Sequence, residues 1–163
     1  TTNIIINPGS GFGTGSHPTT KLCLHWIETN SLKNKSFLDY GSGSGILGIV
    51  AKLYGADLVE GAEIDRKAIR NAIYNCKLNN IEIPFIDVNK IIIQENFDIL
   101  MANILSNTLI QLSSTFKTLT RKKLILSGIL DKQVPYIIDY YSHWVNLKKV
   151  KNLEGWNLLE GNL

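Results

Sequence analysis

Apolar residues along the chain change period in a regular order. Short β-prone runs at 37–40, 58–63, 81–87, 97–102 and 123–127 alternate with segments whose apolar residues recur every three or four positions. The recurring segments predict helices. Leu22, Cys23, Trp26 and Ile27 share the face of one, with Ser16, Thr19 and Thr20 as capping candidates and Pro18 at its start. Others are expected over 46–53, closed by Gly55; over 66–79, with Ala68, Ile69, Ala72, Ile73 and Cys76 inward; over 105–119, with Leu105, Leu109, Leu112, Phe116 and Leu119 inward; and over 131–141, capped by Asp131. Ile4-Ile5-Ile6 is a further β-prone run. Pro84 cannot donate to a ladder and pushes the third strand to an edge. Runs at 145–150 and 156–159 flank Glu154-Gly155 and read as a closing hairpin. Strands alternating with helices predict an α/β, Rossmann-like fold: a seven-stranded, mostly parallel sheet with helices on both faces and an antiparallel C-terminal hairpin.

Composition narrows the class. With 163 residues, 44% hydrophobic and 19% charged, the chain can bury a core and is not a disordered segment. No apolar run approaches the ~20 residues that span a bilayer, so no membrane is expected. Two cysteines, Cys23 and Cys76, make no disulfide framework, and a cytoplasmic location is the expectation. Both read as core residues. A net charge of +3 carries no nucleic-acid signal, and Lys148-Lys149-Val150-Lys151 reads as a solvated strand face. His25 and His143 lack partners at metal spacing, so no metal site is expected. Trp26, Trp144 and Trp156 read as packing residues.

Three places carry candidate chemistry. Asp39-Tyr40-Gly41-Ser42-Gly43-Ser44-Gly45 follows a strand and opens a helix, where glycines let backbone approach a ligand. Position 46 is Ile, where the dinucleotide fingerprint needs glycine. The acidic-x-Gly-x-Gly-x-Gly spacing is similar to that of class I S-adenosylmethionine methyltransferases, and a plain strand–helix turn is the alternative. Glu63, at the end of the second strand, can accept from both ribose hydroxyls of a nucleoside, whereas Asp65 reads as the cap of the next helix. Asn103 ends the fourth strand, where open α/β sheets bind ligands; its amide can orient an amine, or it caps the helix near Leu105. The Asn-Ile-Leu-Ser run at this position is not the Asn-Pro-Pro-aromatic run of amide and adenine methyltransferases.

The run Pro8-Gly9-x-x-Phe12-Gly13-Thr14-Gly15-Ser16-His17-Pro18-Thr19-Thr20 is far more specific. Together with the Asp39 glycine motif, Ala102-Asn103-Ile104-Leu105 and Leu126-Ser127-Gly128-Ile129-Leu130, it resembles the ribosomal protein L-eleven (L11) lysine methyltransferase family (PrmA) over nearly the whole chain. The resemblance implies S-adenosylmethionine as cofactor, contacted by Thr20, Gly41, Gly43, Glu63 and Asn103, with Phe12 and Thr14 in a loop that covers it. It implies ribosomal protein L-eleven as substrate and protein amines, lysine side chains or the N-terminal amine, as acceptors. Asn103 would orient the amine. His17 is a candidate proton acceptor, against a reading as a loop-structuring residue bonded to backbone. Two departures stand out: Glu63 replaces the family's usual Asp, and Tyr40-Gly41-Ser42 replaces Phe-Gly-Cys. Residues 1–163 are expected to form one methyltransferase domain, with 1–35 a cofactor-covering loop and helix and 36–163 the sheet core, and the family's N-terminal recognition domain is expected to be absent. A methyltransferase with another protein or small-molecule acceptor, or a non-catalytic cofactor-binding module, are the alternatives.

Overall fold

Strand and helix alternate as the periodicity requires, and the sheet order follows from the crossovers. The structure, a computed structural model, describes residues 3–9 and 15–163. Helix α1 (Pro18–Thr29) precedes β1 (Ser36–Tyr40), α2 (Ile46–Leu53), β2 (Leu58–Glu63), α3 (Arg66–Leu78) and β3 (Phe85–Asp87). Then come β4 (Phe97–Asn103), α4 (Ser106–Gln111), α5 (Ser113–Leu119), β5 (Thr120–Leu130), α6 (Val134–Tyr141), β6 (Asn146–Leu153) and β7 (Trp156–Asn162). The seven strands form one sheet in the order β3-β2-β1-β4-β5-β7-β6. Every pairing is parallel except those of β7, which runs antiparallel to both β5 and β6. The strand order reverses at β1, which lies between β2 and β4, and this opens a crevice at the carboxyl ends of the strands.

The central strands are buried on both faces, so they read as continuous apolar runs. Phe37, Ile99, Met101 and Ile125 face α1 and α2, packing with Trp26, Ile27 and Ile49. Leu38, Leu100, Leu124 and Leu126 face the other way, against Phe116, Ile137 and Tyr141. Cys23 and Cys76 lie in the first of these cores; burial pushes their thiols up to about 12 and about 11, so neither is a nucleophile near neutral pH.

Several boundaries differ from the periodicity. The third strand is only Phe85–Asp87, at the sheet edge, because Pro84 supplies no donor and uses only its carbonyl, which accepts from Gly61 N at 2.9 Å. Ile4-Ile5-Ile6 joins no described strand; it runs extended along α3. On α3 itself Ile73 is exposed and Asn75 is buried. The 105–119 helix is two helices meeting at Leu112, where Ser113 turns inward to accept from Trp144 Nε1 at 3.0 Å, and Leu105 is exposed rather than inward. Asp131 caps no helix. It begins a 3-10 turn, and its carboxylate accepts from Asn152 and Asn157 at 2.8 and 2.9 Å, pinning the hairpin, while α6 starts at Val134 with Pro135 in its first turn. The cap of α1 is His17, not Ser16, Thr19 or Thr20.

Candidate functional site

The carboxyl ends of β1, β2 and β4 converge on one crevice. After β1 the chain turns through Gly41, Gly43 and Gly45, all left-handed with φ of 81°, 53° and 85°. Gly41 N and Ser42 N both donate to Ala62 O, at 2.7 and 3.1 Å, which fastens the loop to β2. A Cβ on Gly41 would lie 2.8 Å from the Ile104 side chain, so the loop needs glycine there for room as well as for conformation. The Ser42 hydroxyl is buried without a hydrogen-bond partner among the described residues.

Glu63 closes onto this loop. Its Oε1 accepts from Gly43 N at 3.0 Å, and its Oε2 from Ile64 N and Asp65 N at 2.7 and 3.0 Å. Three amide donors hold the carboxylate at the mouth of the crevice, half-buried, with acceptor capacity left on Oε1. Asp65 is the N-cap of α3, accepting from Lys67 N at 2.9 Å.

Asn103 caps no helix, since the N-cap of α4 is Leu105. Its Nδ2 donates to Thr20 Oγ1 at 3.2 Å, and its Oδ1 has no protein partner among the described residues. These two side chains sit where two hollows meet. A groove of about 80 Å³ runs beside Gly41, Ser42, Gly43 and Ser44 and ends at Thr20 and Asn103. A cleft of about 310 Å³ begins at the same pair and is walled by His17, Ile104, Leu105, Gly128 and Trp156. A larger hollow of about 360 Å³ lies elsewhere, lined by Ile4, Ile6, Leu24, Glu28, Val50 and Tyr54, none of which lines the groove or the cleft.

His17 serves backbone. Its Nδ1 accepts from Thr19 N at 3.2 Å and lies 2.8 Å from Thr19 Oγ1, and its ring meets Trp156 edge-on at 5.4 Å. With Nδ1 accepting, the neutral ring carries its proton on Nε2. Thr20, Gly41, Gly43, Glu63 and Asn103 therefore come together, with His17 on the far wall of the cleft. Phe12 and Thr14 lie outside the described residues. Trp156 and Gly128 were not singled out by sequence as site residues. The signal for Trp156 was the hairpin register, which sets it opposite Leu130 at the carboxyl end of β5.

Asp39 lies beneath the glycine loop, 1% exposed, accepting from Gly48 N at 3.3 Å. Burial pushes its carboxyl up to about 7, the Gly48 amide opposing this and the Glu63 charge adding to it. An acid with a raised folded pKa holds its proton longer in the native state. Its contribution to stability is complete below the unfolded value of 3.8 and is lost as pH climbs through about 7. Asp39→Asn is thus expected to gain stability relative to the parent at pH 8 but not at pH 4, by up to about 4 kcal/mol, and to melt correspondingly higher at pH 8. Thermal melts across that range check this; a difference independent of pH contradicts it.

At the opposite end of the sheet, Asp98 accepts from Ser36 N and Arg121 Nε, both at 2.9 Å. Burial works upward on it, but these bonds and the Arg121 and Lys122 charges hold it down at about 2. That cluster joins β1, β4 and β5 and faces no part of the crevice. Lys148, Lys149 and Lys151 are exposed on the edge strand β6. Among the described residues no cluster of metal-ligating side chains occurs, and no helix is long and apolar enough to cross a membrane.

Comparison with known proteins bears on the family and the fold. A ribosomal protein L11 methyltransferase from Neisseria gonorrhoeae is 41% identical over 161 residues, covering 98% of this chain and 54% of that protein. The chain thus spans about half the length of the curated relatives it matches. The crystal structure of a ribosomal protein L11 methylase from Lactobacillus delbrueckii subsp. bulgaricus superposes with a TM-score of 0.82 at 29% identity, covering 90% of this chain and 79% of that one. A Thermus thermophilus 16S rRNA methyltransferase, solved with S-adenosylmethionine and guanosine, shares the fold at a TM-score of 0.76 and 17% identity, covering 93% and 44%. The family model described as ribosomal protein L11 methyltransferase (PrmA) matches residues 1–163, and with the glycine loop, Glu63 and Asn103 brought to one crevice, the chain belongs to that family.

Proposed function

We propose that this chain carries the catalytic centre of an S-adenosylmethionine-dependent protein N-methyltransferase that modifies amines of ribosomal protein L11 in the cytoplasm. The observation that carries the reading is the Thr20–Asn103 hydrogen bond at the junction of groove and cleft. A transfer enzyme needs its two reactants in separate hollows that touch at one point, and alignment there supplies much of the acceleration.

The residues fit a nucleoside cofactor. Glu63 offers a fixed carboxylate to ribose hydroxyls, the glycine loop leaves room for close backbone approach, and the groove ends at the apolar-walled cleft. Bound S-adenosylmethionine supplies an electrophilic methyl group on a sulfonium. The remaining work belongs to the protein. Asn103 Oδ1 accepts from the incoming amine and aims its lone pair toward the groove. Ile104, Leu105 and Trp156 strip water from the amine, which favours its neutral form. With the cofactor held by Glu63 and the glycine loop, its methyl group would pass to the nitrogen aligned by Asn103, the thioether being the leaving group and the amine's proton going to solvent. The His17 cap geometry is consistent with a mechanism that uses no general base at that ring.

Asn103→Ala is expected to lower kcat by about 10–100-fold, the scale of a misplaced reactant, while changing cofactor Kd by no more than about threefold. Calorimetry beside steady-state kinetics separates the two, and equal losses make Asn103 a cofactor ligand only. The function itself is tested by incubating the chain with S-adenosylmethionine and purified L11 and mapping methyl groups by mass spectrometry. Methylated amines on L11 support the reading. Cofactor turnover only with other acceptors, or binding with no transfer, overturns the assigned substrate or the assigned activity respectively.

A further inference from the structure

Helix α3 and its C-cap carry asparagine at positions 71, 75 and 79, one turn apart on one face, and residues 3–8 run extended along them. The side-chain amides act as rungs. Asn79 Oδ1 accepts from Ile5 N at 3.0 Å and its Nδ2 donates to Ile5 O at 2.8 Å. Asn75 does the same for Asn7, accepting from its N at 2.8 Å and donating to its O at 2.8 Å, with Asn71 Nδ2 adding a bond to that carbonyl at 2.9 Å. The spacing works because alternate residues of an extended chain are ~6.7 Å apart and residues four apart on a helix rise ~6 Å. Ile4 and Ile6 point the other way, onto the α1–α2 core. The arm is thus held as a β-strand is held, but by side chains of a helix.

One rung reaches further. The second proton of Asn75 Nδ2 goes to Ser44 O at 2.8 Å, inside the glycine loop, and Asn75 is fully buried. A single amide therefore touches the docked arm with both of its polar atoms and the cofactor loop with one. We propose that Asn75 is a positioning residue that couples arm docking to cofactor binding: the seated arm fixes the Asn75 amide, the amide fixes the Ser44 carbonyl, and the loop is preorganised for its ligand. The proposal rests on the cofactor reading above. Binding linkage makes the coupling reciprocal, so the cofactor must tighten the arm by the same factor by which the arm tightens the cofactor.

The test uses S-adenosylhomocysteine as a stable probe, with amide hydrogen exchange read at Ile5 and Asn7. Saturating ligand is expected to slow exchange at both by about fivefold or more, the low end of ordinary coupling. Loosening the arm with the Asn71→Ala/Asn79→Ala pair, which leaves it only the Asn75 rung at Asn7 and touches no residue of the glycine loop, is expected to speed exchange at Ile5 and to weaken ligand binding by up to that same factor. In Asn75→Ala the Asn79 rung remains, so Ile5 still reports docking, but its exchange should no longer respond to ligand. Persistence of the response in Asn75→Ala overturns the proposal, as does full affinity in the Asn71→Ala/Asn79→Ala pair when exchange at Ile5 shows the arm loosened. The second of these holds even where Asn75→Ala fails to fold. No binding by the parent chain overturns the cofactor reading instead, and so is distinct from both.

Discussion

Glu63→Ala is expected to weaken S-adenosylmethionine binding by about 10–100-fold. The side chain does two things at once. It offers the crevice its one fixed carboxylate on β2, and it collects the amides of Gly43, Ile64 and Asp65. A hydrogen bond to an ionised group contributes roughly 1.5–3 kcal/mol, and each 1.4 kcal/mol is a factor of ten in affinity. Alanine removes the ribose acceptor and also frees Gly43 N, so the glycine loop loses one of its tethers to β2. Glu63→Asp keeps the charge at a shorter reach, with the residue the family resemblance would lead one to expect there, and should retain most of the binding. Titration calorimetry on the two variants decides the matter. Unchanged affinity in Glu63→Ala would remove the ribose assignment, and an equal loss in both would show that reach rather than charge is limiting.

Gly128→Ala carries the largest expected effect on stability. Gly128 sits in a bulge of β5 at φ +89°, where L residues are strained. Its added Cβ would lie 2.5 Å from Ile104 O and 3.0 Å from Ile104 C. These are backbone atoms of the segment that follows Asn103, so no rotamer change relieves the contact. Strain of about 1–2 kcal/mol and overpacking of about 1–3 kcal/mol predict a loss of roughly 2–5 kcal/mol. For a chain of this size that is a fall in Tm of roughly 5–15 °C. Gly55→Ala is the control. It has φ +98° and nothing within 4 Å of the added Cβ, so only the backbone cost of about 1–2 kcal/mol remains. Denaturant melts that rank the two variants equally would show that close approach to Ile104 contributes nothing. If Gly128→Ala folds at low temperature, its shifted Ile104 should also narrow the cleft and slow transfer.

Much of the fold was legible because the central strands carry their own signal. β2 and α2 match the periodicity at both ends, since Gly55 closes the helix and Asp65 caps the next one, which leaves the strand between them little freedom. The misreadings have a shared cause: side chains that bond to distant backbone or side chains. Ile4-Ile5-Ile6 has strand character, but its partners are asparagine amides on α3, which period analysis cannot supply. Asn75 carries no apolar signal although it is fully buried, and Ile73 fits the inward stripe of α3 although it is exposed. Asp131 stands where a cap would stand, yet serves Asn152 and Asn157 across the hairpin. Within the site, Glu63 and Asn103 were readable because strand ends at a reversal of sheet order are where ligands bind. Trp156 was not, because its place in the cleft depends on the register of β7 against β5.

The central claim is that the cofactor lies across the carboxyl ends of β1, β2 and β4 and meets the acceptor cleft at Thr20 and Asn103. Titrating labelled protein with S-adenosylhomocysteine and following backbone and side-chain amide resonances tests it most directly. The account predicts saturable shifts at Gly41, Gly43, Ile64 and Asp65 and at the Asn103 side-chain amide, with Ser36, Asp98 and Arg121 at the far end of the sheet unmoved. Shifts centred on Ser36 and Arg121, or a spectrum unchanged at high ligand concentration, would contradict it.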